Sequence, residues 1–251
     1  MSNAVTERES ELRALRQLLC HDDRDRRRQG VQLLHTLGAE VAGALLQAPR
    51  LREHRPVVSF HKSYLLRPEL LHAWVGPSSP WPWCRGLTEL NLGGQFYLTE
   101  LSAIASLSTL ERLSLQGCIR LTDLSALASL TALTGLQLSA CRALTDIAPV
   151  ARCTRLERLD LSACDALEAL GPLAALPSLR ALNLRDCRQV TDLGPLSGHP
   201  GLVSLDLRQS GVTDHAPLLS CPALQTVTVG AVYGEQEAAL APLQAHCAVV
   251  F

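Results

Sequence analysis

Lysine is almost missing from this chain: of 23 basic residues in 251, only Lys62 is not arginine. Aromatic residues are scarce as well, at 4%, so the core must be built from smaller apolar side chains. No apolar run approaches the roughly 18 residues needed to span a bilayer. Glu7, Glu9 and Glu11 interrupt the first stretch, where a secretory signal would carry a continuous apolar segment. A cytoplasmic protein without a membrane partner is therefore expected. The formal charge is −1, from 23 basic and 24 acidic residues, so there is no general basic field for nucleic acid. A phosphate-cradling Gly loop, a nucleophile motif and a catalytic acid pair are all lacking. No enzymatic activity, cofactor or small-molecule substrate is expected. The arginine skew, together with abundant Ala and Leu, is the mark of a GC-rich, bacterial genome.

What is present is a repeat. The frame Leu-x-x-Leu-x-Leu-x-x occurs seven times, in LTELNLGGQ from Leu87, LERLSLQGC from Leu110, LTGLQLSAC from Leu133, LERLDLSAC from Leu156, LRALNLRDC from Leu179, LVSLDLRQS from Leu202 and LQTVTVGAV from Leu224. Successive copies start 23 residues apart five times and 22 apart once. A fixed period of this length means one supersecondary unit stacked on copies of itself. The two Leu separated by one residue face the same way along a strand, here inward. The return halves, such as LTDLSALASL and LTDIAPVARC, place Pro149, Pro172, Pro195 and Pro217 in one slot. Pro is favoured in the first turn of a helix, and an acidic or hydroxyl side chain before it accepts the open N–H groups. Short helical or 3₁₀ turns are expected there, with the turn of the fourth copy open to question because Glu168-Ala169 replaces Thr-Asp. The single contraction falls at Ser210-Gly211-Val212.

Nine cysteines would suit a disulfide framework in a small secreted protein. Here Cys118, Cys141, Cys164 and Cys187 fall in the same slot of four consecutive repeats, so their side chains run parallel as a ladder. Free Cys behaves as a small buried hydrophobe with a weak S–H donor, which fits a turn where a neighbouring carbonyl needs a partner. Cys153 and Cys221 share a second buried slot with Leu107, Leu130, Leu176 and His199. No C-x-x-C pair exists, and reduced structural thiols without a metal are expected.

Two flanking segments differ in kind. Residues 1–50 carry a capping box at Thr6–Glu9, then Leu12, Leu15, Leu18 and Leu19 at helical spacing, then a second helical stretch ending at Gly38. Residues 51–86 form a Pro-rich connector holding His54, His61, His72 and all three tryptophans, Trp74, Trp81 and Trp83. Those rings suit a cap over the edge of the first repeat, or else a second binding site. At the other end Glu235–His246 reads as helix, and the segment to Phe251 as a degenerate eighth strand with Val249 and Phe251 inward.

Residues 87–251 resemble the leucine-rich repeat family, and the run LCHDDRDRRRQGVQLLHTLG resembles one helical hairpin of a HEAT-like repeat. The Cys-x-x-Leu-Thr-Asp-Leu continuation is similar to the cysteine-containing repeats of F-box ubiquitin-ligase subunits, with a shorter period and no F-box in residues 1–86. The resemblance implies an α/β leucine-rich repeat solenoid: a curved parallel sheet on the concave side, short helices or 3₁₀ turns on the convex side, and a helical N-terminal cap. It also implies a scaffold that binds a protein partner.

The positions that vary would then carry specificity. The middle outward column is Asn91, Ser114, Gln137, Asp160, Asn183, Asp206 and Thr228, flanked by columns that begin at Glu89 and Gly93. Arg112, Gln137, Arg158, Asp160, Asn183, Arg185, Asp206 and Arg208 are the candidate partner-binding residues, densest from Arg158 to Arg208. Such a surface suits a protein bearing carboxylates or polar loops. The alternative is a substrate adaptor that docks a modifying enzyme through residues 1–86. Because each repeat is stable only through its neighbours, Leu159→Ala in a central copy should cost about 2–5 kcal/mol. Chemical denaturation checks this, and an unchanged midpoint would contradict the inward placement of Leu159.

Overall fold

The computed structural model describes residues 57–59, 86–230 and 240–251. The expected helices of residues 1–50, the tryptophans and histidines of the connector, and the start of the C-terminal helix lie outside these. Nine strands of three residues each form one parallel sheet in strict sequence order. They are β1 (Val57–Ser59), β2 (Glu89–Asn91), β3 (Arg112–Ser114), β4 (Gly135–Gln137), β5 (Arg158–Asp160), β6 (Ala181–Asn183), β7 (Ser204–Asp206), β8 (Thr226–Thr228) and β9 (Ala248–Val250). β1 is a strand that the repeat frame does not announce, supplied by the connector and paired with β2 as Val57↔Glu89.

The register is the one the frame requires. Leu90, Leu113, Leu136, Leu159, Leu182, Leu205 and Val227 pair in sequence and are buried. Beyond each strand the lateral bonding continues. The N–H groups of Leu92, Leu115, Leu138, Leu161, Leu184 and Leu207 each donate to the carbonyl of the middle-column residue in the next strand, at 2.7–2.9 Å. Two residues on, Gly94, Gly117, Ala140, Ala163 and Asp186 donate to the following repeat in the same way.

That second residue sits at positive φ in six consecutive repeats: Gly94, Gly117, Ala140, Ala163, Asp186 and Gln209, from 56° to 76°. The left-handed backbone turns the chain so that the next side chain points into the core. For a residue with a Cβ this conformation costs roughly 1–2 kcal/mol, and Ala140, Ala163 and Asp186 hold it because the lateral bond and the buried cysteine after it both demand it.

In four repeats that next side chain is the cysteine. Cys118, Cys141, Cys164 and Cys187 are fully buried, and their Sγ atoms donate to the carbonyls of Leu92, Leu115, Leu138 and Leu161 in the preceding repeat at 3.0–3.4 Å. Cys153 and Cys221 donate likewise to Leu127 and Leu196 in the second slot. The expected thiol ladder is thus a hydrogen-bonded one, and the described cysteines are all free.

The return halves are 3₁₀ turns: Ser102–Ile104, Ser125–Ser129, Ala148–Arg152, Gly171–Ala175, Gly194–Leu196 and Ala216–Ser220, followed by one short helix, α1 (Ala241–His246). Asp123, Asp146, Asp192 and Asp214 each accept the N–H of the residue two positions on at 2.7–2.9 Å. The fourth copy has Ala169 where the others have this acceptor, yet its turn forms, so the acceptor is an aid and not a condition. Burial of Leu170 and Leu173 on either side is enough.

The junction between the fifth and sixth repeats is irregular. In the other repeats the first frame Leu donates its N–H to a backbone carbonyl three residues earlier. At this junction the N–H groups of Gly201 and Leu202 donate to Nδ1 of buried His199 instead. Nε2 of the same ring therefore carries the proton and donates to Leu176 O at 3.0 Å. The contraction that follows works because Gly211 has no side chain: a Cβ there would lie 2.3 Å from Arg188 O.

At the C-terminal end β9 pairs with β8 as expected, and Val249 packs against the core. Phe251 departs from expectation. It is 53% exposed and lies past the last paired residue of β9.

Burial pushes the Cys118 and Cys187 thiols up to about 11 and that of Cys164 to about 12. The folded chain thus keeps protons that the unfolded chain releases above about 9. Stability from this source is complete below that pH and is lost as pH climbs through 11 to 12. The urea midpoint should fall steadily between pH 8.5 and 11, and replacing Cys141 and Cys164 by Ala should flatten that fall while lowering the midpoint at pH 7. An unchanged alkaline slope in the double variant would contradict the assignment.

Candidate functional site

The outward residues of β2–β8 line one continuous groove of about 770 Å³ that runs across the strands. Its floor is ordered by the sheet register. One column runs Glu89, Arg112, Gly135, Arg158, Ala181, Ser204, Thr226, and the other is the middle column from Asn91 to Thr228. Six of the eight candidate residues, Arg112, Gln137, Arg158, Asp160, Asn183 and Asp206, are in this lining. Arg185 and Arg208 stand two residues beyond the middle column, in the third predicted column.

The middle column has a second job that the frame alone does not reveal. Oδ1 of Asn91, Asp160, Asn183 and Asp206 accepts the backbone N–H two residues later, from Gly93, Ser162, Arg185 and Arg208, at 2.8–3.0 Å. These side chains hold the end of the strand, as Asx turns do. The signal was in the sequence: Asn or Asp recurs at this position in four of seven copies, the residue types that bond locally to backbone.

The arginines are engaged within the chain as well. Asp206 takes Arg208 in a two-pronged contact, Nε at 3.0 and 3.1 Å and Nη2 at 2.5 Å. Burial pushes the Asp206 carboxyl up, but hydrogen bonds from Arg208 and the charges of Arg208 and Arg185 outweigh this and hold it below the usual carboxylate range. Arg185 pairs with Asp186 at 3.2 Å and Arg158 with Glu157 at 3.5 Å, while Arg112 meets Glu89. The predicted Arg cluster is therefore not a bare positive patch. The Arg158 and Arg185 pairs are open to solvent and add little to stability, while Glu89 and Asp206 are more covered than their arginine partners.

A feature outside the predicted columns is the flank at the first two repeats, where Tyr97 is 58% and Ile119 41% exposed beside half-buried Phe96. Elsewhere in the described residues, Phe251 is the remaining aromatic. Among the described residues no group of three His, Cys, Asp or Glu could hold a metal ion, and no helix is long and apolar enough to cross a membrane.

Sequential parallel strands, a 23-residue period, inward Leu at fixed slots and 3₁₀ returns decide the architecture. The chain folds as a leucine-rich repeat solenoid. No protein-family model and no curated protein matches it. Among solved structures it is similar to an internalin, InlF, from Listeria monocytogenes, with 31% identity over 52% of this chain and 38% of that one, at a TM-score of 0.48. Internalin C2 from the same organism gives 24% identity over 64% of this chain and 76% of that one, at 0.45. TLR13, in its complex with ssRNA13, gives 21% identity over 65% of this chain and 24% of that one, at 0.48. The chain thus spans under two thirds of the first and third of these proteins and about three quarters of the second.

The double role of the middle column can be separated by substitution. Asp206→Asn keeps an Oδ1 acceptor, as Asn183 does one repeat earlier, and gives up only the charge pairing with Arg208, so it should lower the denaturation midpoint less than loss of the acceptor does. Asp206→Ala removes it and should cost about 0.5–1.5 kcal/mol. Equal midpoints for the two variants would show that the strand-end bond contributes nothing.

Proposed function

We propose that the chain is a non-enzymatic recognition scaffold that binds a protein partner through the groove of its sheet, in a reducing, cytoplasmic setting. The observation that carries this reading is the division of labour across each strand. Every inward position is Leu or a near equivalent, held identically in all repeats, while the outward positions are polar and differ from repeat to repeat along one rigid register. A surface of that kind fixes the relative placement of many side chains at low entropic cost on binding. Its charges favour protein over nucleic acid: the four arginines of the groove and its rim, Arg112, Arg158, Arg185 and Arg208, each meet a carboxylate of the chain itself. Among the described residues of the groove no unopposed basic stripe is left to follow a phosphate backbone. The six buried, hydrogen-bonded thiols support a reducing compartment, since each serves the fold only while it keeps its proton.

A second reading, an adaptor that also docks an enzyme near its N-terminal end, is favoured by exposed Tyr97 and Ile119 at the first repeats. Aromatic and aliphatic side chains exposed together are the composition of interaction hot spots.

A photo-crosslinking amino acid placed in living cells at Gln137 or Asn183, in parallel at Asp146 or Asp192 on the turn side, and at Tyr97 or Ile119 on the flank, distinguishes these surfaces. Groove positions should give a discrete protein adduct and turn positions none. Adducts from the turn side alone would overturn the groove reading, and adducts confined to Tyr97 and Ile119 would replace it by the second.

A further inference from the structure

Gly135 is the only glycine in any described strand of the sheet, and no contact among the described residues requires it. Its φ is not in the left-handed region. A Cβ built there would meet only the Arg112 side chain, Cγ at 3.5 Å and Cδ at 4.0 Å, which is ordinary contact. Glycine weakens a strand by its backbone entropy, and where no close packing explains it, it marks a place where another molecule approaches. Gly201 and Gly211 show the contrast: there a Cβ would strike backbone carbonyls at 2.7 and 2.3 Å.

At Gly135 the groove floor is bare backbone, and its neighbours in the column are Arg112 and Arg158. Two strand spacings separate them, about 9–10 Å. A flat ring needs about 3.5–4 Å of contact distance on each face, so the gap between the two side chains takes one ring. Charge complementarity selects its chemistry. Glu89 already answers Arg112, and Glu157 answers Arg158, so a carboxylate arriving here would duplicate a charge that the chain provides. What remains on offer is the methylene stem of Arg112 beside Gly135 and two guanidinium groups whose charge is already paired, a chemistry that attracts an aromatic ring. The lining of the groove contains no aromatic residue of its own, and interfaces are anchored by buried aromatic side chains from one partner or the other.

We infer that Gly135 is the floor of an anchor notch, walled by Arg112 and Arg158, which receives one aromatic side chain of a protein partner. The inference rests on the groove reading above and narrows it to one point of the sheet.

The test uses the full chain, ¹⁵N-labelled, titrated with 4-methylphenol, 3-methylindole and acetate as stand-ins for Tyr, Trp and Asp side chains. The two ring compounds should shift the Gly135 amide and the Arg112 and Arg158 Nε–H signals saturably, with dissociation constants on the order of millimolar for so few atoms. Acetate should leave these signals in place. Gly135→Leu should abolish the shifts. Gly135→Ala, which adds one methyl in ordinary contact with the Arg112 stem, should keep or raise the denaturation midpoint and so separate loss of the notch from loss of the fold. Ring compounds that leave Gly135 unmoved, or that move it equally in Gly135→Leu, overturn the notch. An acetate shift at the same signals overturns its aromatic occupant. Ring-induced shifts at outward strand residues other than these would leave the groove reading standing without the notch, whereas shifts confined to the 3₁₀ turns would count against both.

Discussion

The lateral hydrogen bond between repeats is the interaction on which everything else in this structure depends. A strand of three residues is far too short to persist alone, and a 3₁₀ turn of three to five residues is no better. Each becomes stable only because its N–H and C=O groups find partners one repeat away, from Leu92 to Ser114, Leu115 to Gln137 and onward to Leu207 and Thr228. That bonding has a geometric consequence. It fixes the inter-repeat spacing, so any side chain between two turns must have the same length and reach in every copy. Leu at the frame positions and Cys at the turn are solutions to that constraint, the thiol being small enough to bury and still able to donate to the carbonyl behind it.

The same constraint explains what was legible in the sequence. Inward slots repeat because the spacing repeats, so the Leu frame, the cysteine ladder and the buried second slot with His199 could all be read from periodicity. Signals that are not periodic were not legible. β1 is three residues, Val57–Ser59, after Pro56, with no frame around it. Its place in the sheet comes from pairing with β2, and pairing leaves no trace in so short a segment. The inward placement expected for Phe251 extended an alternation past the point where the sheet ends, and alternation has no meaning without a neighbouring repeat to face. The arginine pairings depend on rotamers, which the sequence does not record. The Asx acceptors of the middle column lie between these cases: the residue types were visible, but a column assigned wholly to a partner hid their use by the backbone.

Outward positions carry no packing constraint, and their variation is therefore informative in a way that inward variation is not. Asp160, Asn183 and Asp206 serve the strand end, which removes one oxygen of each from any account of recognition. Arg112, Arg158, Arg185 and Arg208 retain their faces and stems but not their unopposed charge. The groove is consequently closer to a neutral, hydrogen-bonding surface than a count of arginines implies, and its most distinctive point is the residue that is missing a side chain.

In a chain of repeats coupled only to nearest neighbours, the most irregular junction has consequences beyond its own contacts. Between the fifth and sixth repeats the regular devices are replaced together. The 3₁₀ turn shortens to Gly194–Leu196, the His199 ring stands in for a backbone acceptor, Ser210 follows the cysteine ladder, and Gly211 lets the chain pass within reach of the Cys187 and Arg188 carbonyls. Leu130 and Leu176 fill the slot of His199 elsewhere with apolar bulk alone, but Leu here would take away the acceptor of the buried Leu202 N–H and of the half-buried Gly201 N–H. A single side chain thus makes the turn bond that a backbone carbonyl makes before Leu110, Leu133, Leu156, Leu179 and Leu224. The lateral bonds from Leu184 to Asp206 and from Asp186 to Arg208 still join the two repeats, so the His199 ring braces the turn that leads into Leu202 while the backbone ladder carries the groove across this junction as it does at the others.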